Sequence, residues 1–252
     1  MTRTIKIAKN EIELNDICIF ELIEYYSKFL DTTLSLGKNE ENMISYSDLR
    51  GQYDDENGPM YDLVNLKLKE CNYYSVNEVF KSKLGNLQSI ERSFKVNKDQ
   101  INEVILYISS SPSKDIKARK LSLEDYETHK RYILKLNPNI NENNSCFEYT
   151  FECIEKGLYF AIFENSEIVS CTYSPGLLFN EERIVEMGID TLESHRKNGY
   201  AYDCSIAMIN DLVSSGRIPM IVIKRSNYKS INLAKKVGFK IFGEIDKIRT
   251  YE

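Results

Sequence analysis

The segment Ser194-His195-Arg196-Lys197-Asn198-Gly199-Tyr200-Ala201 constrains the fold of this chain more than any other. An apolar run from Ile184 to Thr191 stops just before it, and a helical pattern begins at Tyr200. A basic, glycine-containing turn that joins a strand to a helix leaves backbone N–H groups unsatisfied at the helix N-terminus, which is the geometry that holds a phosphate or pyrophosphate. After the turn, Ala201, Cys204, Ala207, Met208 and Leu212 mark a buried helix closed by Gly216. Met220-Ile221-Val222-Ile223 reads as a strand covered on both faces. Asn227 caps a helix through Ile231, Leu233, Ala234 and Val237 that Gly238 stops, and Phe239, Ile241, Gly243 and Ile245 alternate as a further strand.

The 252 residues, 42% of them apolar, suffice for one large packed domain or two small ones. A net charge of −5 and a pI near 5.4 argue against general nucleic-acid binding, because that affinity comes from Lys and Arg neutralising phosphates. Met1 to Ile12 lacks the apolar core of a signal peptide, and no run approaches the roughly 18 apolar residues of a membrane span. A soluble cytoplasmic protein with no membrane partner is the expectation. Cys18, Cys71, Cys146, Cys153, Cys171 and Cys204 lack C-x-x-C spacing and read as free thiols, not as a disulfide or zinc framework. Asp54 to Pro59 is acidic but lacks the spacing of a calcium loop, so no metal is expected there.

The first half of the chain is less regular. Ile19, Leu22, Ile23, Tyr26, Phe29 and Leu30 form one face of a helix preceded by Asp16, and Leu36 to Pro59 reads as a loop. Ser75-Val76-Asn77-Glu78 has the form of a capping box for a short helix with Val79, Phe80 and Leu84, ended by Gly85. Asn97 and Gln100 introduce Ile101, Val104, Ile105 and Ile108 at helical spacing, which predicts another helix. Ser109-Ser110-Ser111-Pro112-Ser113 is the best linker, which divides the chain into a smaller, mainly helical region at 1–113 and a second domain at 114–252. Beyond it come a short strand within Ile116 to Leu121, a helix begun by Ser122 and Asp125, and a helix over Ser145 to Glu155. Two strands, Leu158 to Phe163 and Ile168 to Tyr173, then flank a turn at Asn165-Ser166-Glu167 as a hairpin.

The order strand, R-x-x-G-x-A turn, helix, strand, N-x-x-S-x-x-L-A-x-x-x-G-F helix, strand resembles the GNAT superfamily of acyl-CoA-dependent N-acyltransferases. The residues are Arg196, Gly199 and Ala201, then Asn227, Ser230, Leu233, Ala234, Gly238 and Phe239. The resemblance covers about Ile116 to Glu252 and implies an α/β (α+β, mixed-sheet) GNAT-like fold. It implies acetyl-CoA as co-substrate, with its pyrophosphate on the backbone of Arg196, Lys197, Asn198, Gly199, Tyr200 and Ala201. By the same analogy the pantetheine arm pairs with the strand backbone at Ile189 and Thr191, which needs a bulge or splay between strands, and Asn227 and Ser230 contact the cofactor from the next helix. The implied acceptor is a small-molecule or side-chain amine, and homodimerisation is left open.

An alkylammonium with a pKa near 10 must lose a proton before it attacks a thioester. Glu186 is the preferred general base by resemblance to family members with a glutamate on this strand. Asp190 is the reserve, since with Gly188 the two acids share a strand face unless a kink changes the parity. His195 lies beside the phosphate turn, and His129 lies on a predicted helix; both rank lower as bases. Ala234 stands where many GNAT enzymes carry the tyrosine that protonates the leaving thiolate, so the general acid is open: another residue such as Tyr200 or Tyr228, water, or none at all. That departure also motivates an alternative reading, a non-catalytic acyl-CoA-binding or sensing module. The Walker pattern is absent, which argues against a nucleotide site.

Overall fold

Strands from both halves of the chain meet in one seven-stranded sheet. The structure is a computed structural model and describes residues 17–34, 42–48, 50, 53–54, 58–59, 61–69, 71–82, 86–96, 100–112, 116–141, 144–176 and 183–249. In order, the elements are α1 (Ile17–Leu30), β1 (Met43–Ser47), β2 (Tyr53–Asp54), β3 (Gly58–Pro59), β4 (Leu63–Leu68), β5 (Cys71–Asn77), α2 (Leu87–Val96), β6 (Ile101–Tyr107) and β7 (Arg119–Lys120). There follow α3 (Tyr126–Leu136), α4 (Cys146–Glu155), β8 (Tyr159–Glu164), β9 (Glu167–Tyr173), β10 (Ile184–Glu186), β11 (Gly188–Thr191), α5 (Tyr200–Ser214), β12 (Ile218–Lys224), α6 (Tyr228–Val237) and β13 (Lys240–Ile248). The large sheet has the order β1-β5-β4-β13-β6-β12-β10, and a four-stranded sheet has the order β11-β9-β8-β7.

This topology corrects the division at 113/114. Strand β13 lies between β4 and β6, and β12 pairs with β6, so the proposed linker is a connection leaving a central strand. The cores are shared as well. Val104, Leu106 and Ile108 pack with Cys204, Met208 and Leu212 of α5 on one face. Leu22, Tyr26 and Phe29 of α1 pack with Ile184, Met220 and Ile245 on the other.

Among the described residues before 113, six strands accompany the two helices α1 and α2, so this part is mixed and not mainly helical, for identifiable reasons. The predicted helix at Ile101 to Ile108 is β6 and the residue after it, and Val104 to Ile108 are all buried. A strand covered on both faces carries a continuous apolar run, and such a run satisfies a helical period by accident. The predicted loop from Leu36 to Pro59 contains β1, whose Ser45 and Ser47 hydroxyls donate to the Leu30 carbonyl (3.2 Å) and the Asp31 carboxylate (2.9 Å) at the end of α1. Those serines are polar because they satisfy a helix terminus. Ser75 belongs to β5 and donates to the Leu30 carbonyl at 2.8 Å, so the box predicted there reduces to one 3-10 turn, Glu78–Phe80, capped by Asn77. Asn97, Leu84 and Gly85 lie outside the described residues. Helix α2, begun by Asn86 accepting from the Ser89 N–H at 2.9 Å, was not anticipated.

The second half follows the sequence closely. Helices α3, α4, α5 and α6 and the β8–β9 hairpin fall where the pattern puts them, and the Ser122–Asp125 capping box is present. All six cysteines are free. Among the described residues no helix is long and apolar enough to cross a membrane.

Candidate active site

The run Ile184 to Thr191 is two strands, and the break between them builds the site. Strand β10 pairs in parallel with β12 as far as Glu186↔Met220, and the Met187 N–H donates to the Met220 carbonyl at 2.8 Å. From Gly188 the chain leaves β12 and pairs antiparallel with β9. Strands β11 and β12 therefore diverge beyond Met187, each the border of its own sheet on that side. The Leu192 N–H donates to the Val169 carbonyl at 3.0 Å, which sets the alternation along β11. Gly188 and Asp190 spend their backbone groups on β9, so those of Ile189 and Thr191 point to the open side. This is the splay that the pantetheine expectation requires.

Two helix N-termini stand at the C-terminal ends of these diverging strands, the usual ligand position in parallel α/β structure. One is that of α5, entered through Arg196, Lys197, Asn198 and Gly199. Gly199 has φ +84°, and a Cβ there would meet nothing within 4 Å. The glycine is thus required by backbone conformation, and the space above it is open. Arg196 ties back to the end of β11, its Nε donating to the Thr191 carbonyl at 3.4 Å. Helix geometry leaves the Tyr200 and Ala201 N–H groups without an intrahelical acceptor, at the positive end of a 15-residue helix. The other N-terminus is that of α6, where the Asn227 side chain accepts from the Ser230 N–H at 3.2 Å.

The faces of the strand keep their parity through the break. Val185 and Met187 face the core under α5, with Ile189 packed against it. Glu186 and Asp190 therefore share the opposite side, as expected. Glu186 is partly buried beside β12 on the α1 face. There the hydroxyl of Tyr26 donates to Sδ of Met220, the in-register partner of Glu186, at 3.7 Å. Burial pushes the Glu186 carboxyl up to about 7, with Lys247 opposing and Glu103 reinforcing the shift. Lys247 itself is held by Glu103 at 2.6 Å. Arg183, just ahead of β10, pairs with Glu21 of α1 at 3.2 Å.

The other candidates separate clearly. Asp190 accepts from the Tyr173 hydroxyl at 2.8 Å. His195 stays at the turn before α5, 3.3 Å from Glu164 and 2.8 Å from the Ser194 hydroxyl. Tyr200 donates its hydroxyl to the same Glu164, which raises its pKa. His129 is buried under α3, and desolvation lowers it to about 4, which keeps it neutral. Ala234 is packed in the core beneath α6, whereas Tyr228 is 72% exposed. Sequence reasoning did not single out Tyr173 or Lys247; their positions depend on strand register. Burial also pushes the Cys204 thiol up to about 12 and Cys171 well above the ordinary thiol range, so neither is a thiolate nucleophile.

The chain is thus an α/β fold in which two neighbouring strands part beside a glycine-containing helix entry. A family model described as GNAT acetyltransferase matches residues 68–246, and the chain belongs to that family. The match begins at the end of β4, well ahead of the predicted boundary. Among solved structures, a GNAT-family acetyltransferase from Colwellia psychrerythraea is similar in fold at 10% identity, with a TM-score of 0.54 over 94% of this chain and 75% of that one. A GCN5-related N-acetyltransferase from Sphaerobacter thermophilus is similar at 12% identity, with a TM-score of 0.50 over 67% of this chain and 59% of that one. A search of curated proteins gives no significant match.

Proposed function

We propose that this chain is an acetyl-CoA-dependent N-acetyltransferase that moves an acetyl group to a primary amine by direct attack in a ternary complex. The observation that carries the reading is the parting of β11 from β12 at Met187, with Glu186 at the point of divergence. The residues present fit the co-substrate. The turn from Arg196 to Ala201 offers N–H groups, a helix terminus and open space over Gly199 for a pyrophosphate. Ile189 and Thr191 offer strand-edge groups for the pantetheine amides, and Asn227 and Ser230 border the same opening. When bound, acetyl-CoA supplies the acetyl group as an activated thioester.

The remaining work belongs to the chain. The Met187 N–H is committed to Met220, so Ile189 carries the first N–H past the break that is free to polarise a carbonyl. Glu186 takes the proton from the acceptor ammonium, and a carboxyl titrating at about 7 is matched to that task near neutrality. Helix α1 covers the face on which Glu186 lies and borders the acceptor side. The buried thiols favour direct attack over a covalent acyl-enzyme.

The test is thiol release from acetyl-CoA by the full chain across a panel of primary amines. Amine-dependent release is expected, and Glu186→Gln lowers kcat about 10²- to 10⁴-fold while acetyl-CoA affinity is kept. Tight acetyl-CoA binding with no turnover on any amine would instead favour an acyl-CoA-binding module. The burial of Ala234, where a hydroxyl is expected, is the observation on that side.

A further inference from the structure

We propose that Tyr173, polarised by Asp190, is a positioning residue that accepts a hydrogen bond from the attacking amine. The inference rests on the acetyltransferase reading above. Tyr159, Tyr173 and Gly188 lie side by side in register on β8, β9 and β11. The two tyrosine rings stack at 5.5 Å with an interplanar angle of 14°. A Cβ at residue 188 would stand 2.7 Å from Cε2 and Cζ of Tyr173 and 3.1 Å from its hydroxyl. The ring thus lies over the backbone of Gly188, in space that any other residue would fill. Strand β11 borders the splay, so the hydroxyl stands above that border, on the face that also carries Glu186.

A phenol has one proton to give, and Tyr173 gives it to Oδ2 of Asp190 at 2.8 Å. Asp190 is held in turn, its carbonyl accepting from the Tyr132 hydroxyl at 2.8 Å and the Ser170 hydroxyl at 3.2 Å. What remains on the Tyr173 oxygen, beside the backbone of Gly188, is its lone pairs, and the carboxylate behind it strengthens them as acceptors. A hydroxyl so arranged does not supply the proton missing at Ala234. It suits an N–H of the incoming amine, one proton of which goes to Glu186 while another is aimed at Tyr173. No bond to Tyr173 or Asp190 forms or breaks.

Steady-state kinetics of the full chain test this, using acetyl-CoA and the amine that the wild type acetylates fastest. Tyr173→Phe is expected to lower kcat/KM for the amine about 10- to 100-fold, the worth of a hydrogen bond to a charged group, with acetyl-CoA affinity unchanged. Asp190→Asn, whose amide oxygen still accepts from Tyr173 without the charge, should give a smaller loss in the same parameter. This variant also carries the test if Tyr173→Phe fails to fold. Tyr126→Phe, which removes a hydroxyl bonded to the Phe147 carbonyl at 3.2 Å between α3 and α4, should leave amine kinetics unchanged. Wild-type amine kinetics in both the Tyr173 and Asp190 variants, or an equal loss in Tyr126→Phe, overturns the inference while the acetyltransferase reading stands. A wild type that binds acetyl-CoA and acetylates no amine overturns both.

Discussion

The four-stranded sheet takes its strands from one continuous stretch, Arg119 to Thr191, whereas the seven-stranded sheet takes them from Met43 to Ile248. The small sheet is a local structure, built on the β8–β9 hairpin and covered by the two helices that precede it. The large one exists only when distant segments meet, with β13 between β4 and β6. The candidate site lies where they join. A local sheet supplies Asp190 and Tyr173, and a non-local sheet supplies Glu186, its proton affinity and the α1 cover.

That contrast can be broken first in the cores. Ile105 in β6 and Ile168 in β9 are both fully buried. Truncation to alanine should cost about 2–5 kcal/mol at either place, measured by denaturant unfolding. Native-state hydrogen exchange should separate them. Ile105→Ala is expected to weaken protection in β4, β12 and β13 together, and Ile168→Ala to weaken α3, α4 and the hairpin first. Equal loss everywhere for both variants would mean that the sheets unfold as one unit.

The two units should also answer pH in opposite directions. Glu186 is raised from 4.5 to about 7, so the folded state holds its proton more tightly. The stability it contributes is full below the unfolded value and is lost as pH rises through about 7. His129 is lowered from 6.5 to about 4, so its contribution is present above the unfolded value and is lost as pH falls through about 4. Each shift corresponds to about 3 kcal/mol. Thermal unfolding across this range should show Glu186→Gln removing the alkaline decline and His129→Phe removing the acid one. The same glutamate should make acetylation rise as pH passes about 7.

The smallest effect is expected at a surface link within the large sheet. Arg225 joins the turn after β12 to Glu244 at 3.0 Å, to Asp246, and to Asn102 at 3.0 Å. Arg225→Ala should cost about 1 kcal/mol and weaken with added salt, because these part-buried ion pairs still reach solvent and are partly screened. A larger loss would show that this corner holds the non-local strands in register.

Legibility in the sequence follows the same division. The hairpin, the helix caps at Ser122 and Asn227, and the glycine turn before α5 are written in neighbouring residues, and each could be named from its own segment. Strand β6 could not, since five consecutive buried residues carry no period that distinguishes strand from helix. Strand β1 escaped because its serines serve the end of α1. In the site, Glu186 stands out only by the family resemblance, and its shift depends on burial and on Lys247 and Glu103, which only the sheet order brings near. Tyr173 gave no local signal, because its role comes from facing a glycine on another strand.

The seat of β13 has a consequence for how the chain is made. On the ribosome β4 and β6 emerge well before Lys240–Ile248, and until that segment arrives both present unpaired edges at what will be the middle of the sheet. A polypeptide stalled or cut ahead of Lys240 would carry two bare strand borders that recruit other chains. Strand β13 thus acts as the keystone of the sheet, and solubility of fragments should improve sharply once Lys240–Ile248 is included.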